Sequence, residues 1–171
     1  SNATVQSDYS GAVQAISNAI TGVATTLDIT AYGILRSQMS EIFYQMYGFN
    51  PALFYFSGWS YSSGSTTNIV KVITFNYYYT TADIHQMKVY YEAAVTKALT
   101  SIQSGMTNSD KALAMHDYLI LNAKYDYENY LTETIPHISH TAYGILVLGV
   151  GVCDGYSLAY KDLMARLGIP V

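Results

Sequence analysis

Two runs of strand-forming residues sit inside an otherwise helical pattern, and they limit the fold more than any other feature. ALFYFSGWSY (52–61) and NIVKVITFNYYY (68–79) are dense in aromatic and β-branched side chains. Such side chains pack well on a pleated surface, and the turn-forming cluster SSGSTT separates the two runs, so the segment predicts an antiparallel hairpin over about 52–79. Around it the apolar residues recur at spacings of three and four. Val13, Ile16, Ile20 and Val23 mark a helix over 10–23, and Met39, Ile42, Phe43 and Met46 a second over 36–47. Ile84, Met87, Tyr91, Ala94, Val95, Ala98 and Ile102 form a continuous stripe over 83–103. The predicted class is α+β, mostly helical, with the hairpin in the N-terminal part.

Gly105 stops that long helix, and the pattern restarts after it. Thr107 with Asp110 three residues later has the form of a capping box, which opens a helix running to about 123. A polar, aromatic loop is expected over 124–139, then a short buried helix over 140–148. A final helix starts at about Cys153 and places Tyr156, Ala159, Tyr160, Leu163, Met164 and Leu167 on its apolar face. Gly168 is its expected C-terminal cap, and Pro170 prevents continuation. The change of character near residue 107 divides the chain into an N-terminal α+β region, 4–107, and a second region, 108–171. Residues 1–3, SNA, have the look of an expression-tag remnant and are set aside from fold reasoning.

Charge narrows the partners. Charged residues are 12% of the chain, the net charge is −4, and no basic block occurs, so neither nucleic acid nor an anionic membrane is an expected partner. The apolar runs fall short of the ~18 residues of a membrane span. Eighteen tyrosines against eight Lys and Arg give a polar-aromatic, charge-poor surface. That balance points to a protein secreted by, or displayed on, a Gram-positive bacterium, with any signal peptide lying upstream of the sequence read here. A single cysteine rules out an internal disulfide. His85, His116, His137 and His140 show no metal-ligand spacing, and with one cysteine no zinc site is expected.

Cys153 lies where the glycine-rich run GVGV meets the final helix. Unpaired N–H groups and the helix dipole favour a thiolate at such a position. Gly149, Gly151 and Gly155 leave the backbone there uncrowded, and the N–H groups of the turn are candidates for an oxyanion hole. The competing reading is a buried cysteine packed as a small hydrophobe. Tyr143 and Tyr156 are candidate hydrogen-bond donors near the site. Asp154 suits a helix N-terminus but opposes thiolate formation next to it. His140, thirteen residues before Cys153, either caps and packs its own helix or supports the sulfur. His116 and Asp117 are expected to give packing and hydrogen-bonding support. His85 is expected to be structural or solvated, and His137 exposed.

The segment AYGILVLGVGVCDGYSLAYKDLMARLGIPV (142–171) resembles the nucleophile region of the bacterial transglutaminase-like superfamily. Ala142, Tyr143, Gly144, Leu146, Gly151, Cys153, Gly155, Tyr156, Ser157, Ala159, Tyr160, Leu163, Leu167, Gly168, Ile169 and Pro170 match its pattern in register. DKALAMHDYLILNAKYD is similar to the helix that precedes the nucleophile in that family. The resemblance implies a papain-like core with Cys153 as nucleophile, a histidine as general base and an aspartate orienting it. It also implies the chemistry: the thiolate attacks a carboxamide or peptide carbonyl, and water or an amine resolves the thioester. The substrate would be a protein or peptide, cell-wall peptide included, and no cofactor is needed. In the family the histidine and aspartate come from a later antiparallel sheet, beyond the LGIP segment. The expectation is therefore the helical half of such a core lacking its C-terminal sheet, inactive alone, with an exposed apolar face that drives self-association. A concentration-independent monomer in sedimentation would count against that last point. The rival from another class is a non-catalytic surface module that keeps the fold for binding.

Overall fold

The computed structural model describes residues 9–171, so the SNA segment lies outside the described residues. The fold is α+β, and it divides into two compact units, up to Tyr79 and from Thr80 onward. This boundary differs from the one expected near 107. The stripe of the long helix explains the difference, because its buried Tyr91 bonds to Asp162 near the end of the chain.

The first unit contains helix α1 (Ser10–Thr21), strand β1 (Thr26–Asp28), helix α2 (Met39–Phe49) and strands β2 (Phe56–Ser63) and β3 (Val70–Tyr77). The expected hairpin is present: β2 pairs antiparallel with β3, with Trp59 opposite Phe75 and Tyr61 opposite Ile73. A third strand was not expected. β1 pairs antiparallel with the other edge of β3, which gives the order β1-β3-β2. Three residues are too few to show a period-two pattern, so β1 left no signal of its own. Ile16 and Ile20 of α1, Met39, Ile42 and Met46 of α2, and Ile73 of β3 are all fully buried. Phe43 stacks on Trp59 at 4.2 Å between ring centroids. Residues 36–38, assigned to the second helix by their spacing, form a separate 3-10 turn before α2.

The second unit contains α3 (Thr81–Leu99), α4 (Asn108–Asn122), β4 (Lys124–Tyr125), α5 (Tyr127–Leu131), β5 (Val150–Gly151) and α6 (Cys153–Arg166). The capping box opens α4 as its sequence predicts. The Asp110 N–H donates to Thr107 Oγ1, and the Thr107 N–H donates to Asp110 Oδ2 at 2.9 Å. The C-terminus of α6 closes in a Schellman arrangement. Gly168 adopts φ +69°, its N–H donates to the Ala165 carbonyl, and the Ile169 N–H donates to the Met164 carbonyl. The expected loop over 124–139 is more structured than its polarity suggests, because it holds β4, α5 and a 3-10 turn at His137–His140. The expected helix over 140–148 also differs. His140 ends the 3-10 turn, and Gly144–Leu148 form a wider π-type turn. No helix among the described residues is long and apolar enough to cross a membrane.

Candidate active site around Cys153

The position of Cys153 is fixed by backbone contacts more than by side chains. β4 and β5 form a two-residue parallel ladder that pairs Lys124 with Val150 and Tyr125 with Gly151. The Asp126 N–H then donates to the Gly151 carbonyl at 2.9 Å. From the other side, the Ser139 carbonyl accepts the Val152 N–H at 2.9 Å. Val152 is extended and buried, and it delivers the chain to Cys153 as the first residue of α6.

That carbonyl explains two glycines. A Cβ on Gly151 would meet the Ser139 oxygen at 2.6 Å, and a Cβ on Gly155 would meet the same oxygen at 2.7 Å. Gly144 is equally confined, since a Cβ there would strike the Ile138 carbonyl and come within 2.9 Å of the Val150 oxygen. Gly149 serves differently: it turns the chain with φ +68°.

The Ser139 side chain completes the frame. Its hydroxyl donates to Asp126 Oδ2 at 2.7 Å, and Asn129 Nδ2 donates to Asp126 Oδ1 at 2.8 Å. Asp126 and Ser139 are both buried, so this network satisfies polar groups that would otherwise destabilise the turn. Sequence reading missed Asp126, Ser139 and Tyr125. Tyr125 and Asp126 had a signal, as they close the NAKYD stretch that resembles the family. A serine in a polar loop carries none.

Cys153 is exposed, so the packed-hydrophobe reading does not fit it. Asp154 follows it in the first turn of α6. His140 Nδ1 lies 2.8 Å from Asp154 Oδ2, and the Gly155 N–H donates to Asp154 Oδ1. In a neutral ring that donates from Nδ1 to the carboxylate, Nε2 carries the lone pair. The structure places the His140 ring, 39% exposed at the side chain, on the carboxylate next to Cys153. Tyr125 belongs to the same neighbourhood. Its hydroxyl is held above the usual phenol range by burial first, then by the charges of Cys153, Tyr130 and Asp154, while the Cys153 N–H acts the other way. The Tyr125, Tyr127 and Tyr130 rings lie against one another.

The other expected residues are placed as follows. Gly151 and Gly155 line the turn at the sulfur. Tyr156 is half-buried, and burial raises its hydroxyl. Tyr143 is buried in the core with its ring stacked on Tyr91 at 6.5 Å. His116 and Asp117 pair with each other at 3.0 Å but stand on the solvent side of α4, with side chains 59% and 51% exposed. Packing support is therefore not what that pair provides. His85 is exposed and His137 half-buried.

Compared with family models, with curated proteins and with solved structures, the chain finds no match in any of the three. The chemistry of the site rests on its own residues.

Proposed function

We propose that Cys153 is the nucleophile of a transglutaminase-like, papain-related thiol acyl-transfer site. The observation that carries this reading is an exposed cysteine at the first residue of a 14-residue helix, beside a hydrogen-bonded His140–Asp154 pair. The helix N-terminus favours the negative sulfur. The thiolate attacks the carbonyl of a peptide or carboxamide, an S–C bond forms, and the amine departs with a proton. Water or a second amine then breaks the thioester. In the resembled family the base and its orienting carboxylate follow the nucleophile helix. Here the general base of the proposal is His140, whose Nδ1 is paired to the carboxylate of Asp154, the residue that follows Cys153. The substrates are proteins or peptides, cell-wall peptide among them. The tyrosine-rich, charge-poor composition supports a place outside a Gram-positive cell.

The test is acyl-enzyme formation from p-nitrophenyl acetate, followed by intact mass and peptide mapping. The thiolate displaces p-nitrophenolate, and the expected result is one acetyl group on Cys153, acquired at least about tenfold faster than in the denatured chain. Cys153→Ser should abolish the fast phase, and His140→Ala should slow it by about 10²-fold if the ring acts as base. Acetylation no faster than in the denatured chain would sink the proposal and favour the rival, a non-catalytic surface module.

A further inference from the structure

The chain contains two arginines, Arg36 and Arg166, and they are used in opposite ways. Arg166 is committed. Its Nη1 and Nη2 donate to the two oxygens of Glu92 at 2.9 and 2.7 Å, the bidentate geometry a planar guanidinium prefers. Arg36 has no such partner. Among the described residues no carboxylate pairs with it, and its single side-chain bond runs from Nε to Ser63 Oγ at 2.6 Å. That bond anchors the stem side of the guanidinium and leaves the terminal nitrogens available.

Arg36 lines a cleft of about 350 Å³ in the first unit, together with Leu35, Ser37, Thr67 and Asn68. The cleft lies within the range that holds small ligands, about 300–1,000 Å³. Its walls are braced by the backbone. The Arg36 N–H donates to the Asn68 carbonyl at 3.1 Å, and the Gln38 side chain accepts the Leu35 N–H at 2.9 Å. Asn68 itself adopts φ +56°, a left-handed turn conformation that asparagine takes more readily than other residues with a side chain.

We infer that this cleft is a binding site for a small molecule or chain terminus carrying a free carboxylate, paired to Arg36. One guanidinium and no second cation line the cleft, which matches a single negative charge better than a dianionic phosphate. The planar fork matches a planar carboxylate, and Ser37 and Thr67, which also line the cleft, carry hydroxyl groups that can donate. Leu35, 40% exposed, offers an apolar wall for a short aliphatic group next to the carboxylate. The site is independent of the chemistry proposed at Cys153.

N-acetylalanine and its neutral analogue N-acetylalanine amide are the probes, titrated into the full chain and followed by backbone amide NMR shifts. The expected result is saturable movement of the Arg36, Ser37 and Asn68 signals with the acid, and binding of the amide weaker by at least about tenfold. Arg36→Ala should remove the response while the rest of the spectrum stays dispersed. Arg36→Lys keeps the charge but loses the fork, and should weaken binding several-fold, which keeps the test readable if the alanine variant fails to fold. Equal response to acid and amide, an unchanged response in both variants, or tighter binding of inorganic phosphate than of N-acetylalanine would each overturn the inference.

Discussion

The two units are held by different kinds of contact. The first rests on side-chain identity: Ile16, Ile20, Met39, Ile42, Met46 and Ile73 fill its core, and Phe43 stacks on Trp59. The part of the second that carries Cys153 rests on backbone approaches too close for any side chain and on buried polar bonds. Gly144, Gly151 and Gly155 press against carbonyl oxygens, Ser139 bonds Asp126, and Tyr91 bonds Asp162. A core of the first kind tolerates a change of shape when volume is kept. A frame of the second kind has no slack, because a backbone carbonyl cannot rotate away as a side chain can. Holding one side chain in place to within a fraction of an ångström calls for the second kind.

Alanine at two glycines should separate the cases most sharply. Gly144→Ala puts a methyl group into two carbonyl oxygens and is expected to cost about 3 kcal/mol or more. Gly33, in the first unit, has φ +62° and open space around it, so Gly33→Ala is expected to cost only the left-handed conformation, about 1–2 kcal/mol. Urea melts of both variants, with amide exchange to locate the loss, give the comparison. Equal costs would mean that the turn before Cys153 can relax and is not the rigid frame described.

The same contrast explains what could be read from the sequence. Periodic apolar residues report only that a face is buried, and this was enough for α1, α2, α3, α4, α6 and the β2–β3 hairpin. The capping box at Thr107 and the stop at Gly168 were legible because each is a local bond pattern with its own residue types. β1, β4 and β5 were not, being two or three residues long. The glycines around Cys153 were visible, but not their reason: that one carbonyl, Ser139, lies against both Gly151 and Gly155 depends on a turn twelve to sixteen residues away. The same distance hid the meeting of His140 with Asp154. Tyr143 was singled out for its closeness to Cys153 in sequence, and its ring is buried and stacked on Tyr91, a contact that sequence distance does not reveal.

A smaller effect is expected from removing one hydroxyl in each unit. Tyr91 Oη donates to the buried carboxylate of Asp162 at 2.6 Å, and Tyr55 Oη donates to the Ile20 carbonyl at 3.3 Å. A bond to a charged group is worth more, and losing it leaves Asp162 less compensated. Tyr91→Phe is therefore expected to cost about 1.5–3 kcal/mol and Tyr55→Phe about 0.5–1.5 kcal/mol. Denaturant midpoints at constant slope decide it. A larger loss for Tyr55→Phe would show that the first unit depends on polar bonds as much as the second.

The smallest effect belongs to the surface pair that continues this network. Arg166 donates two hydrogen bonds to Glu92 and also lies 3.4 Å from Asp162. Those hydrogen bonds, the largest influence, hold the Glu92 carboxyl below its ordinary value; burial, next in size, opposes them, and the charges of Arg166 and Lys88 add to the lowering. A carboxyl whose folded value is depressed adds stability above its unfolded value and loses it as the pH falls through the folded one. The Glu92 side chain is 55% exposed, so solvent screens the pair and the contribution is expected to stay below about 1 kcal/mol. Glu92→Gln should therefore be slightly less stable than the parent at pH 7, and the gap should close on acidification below the carboxylate range. It should also shrink in about 1 M salt, where charges are screened within about 3 Å. A gap that stays constant from neutral to acid pH would mean that Arg166 is held by Asp162 and by packing of its stem, with Glu92 an incidental neighbour.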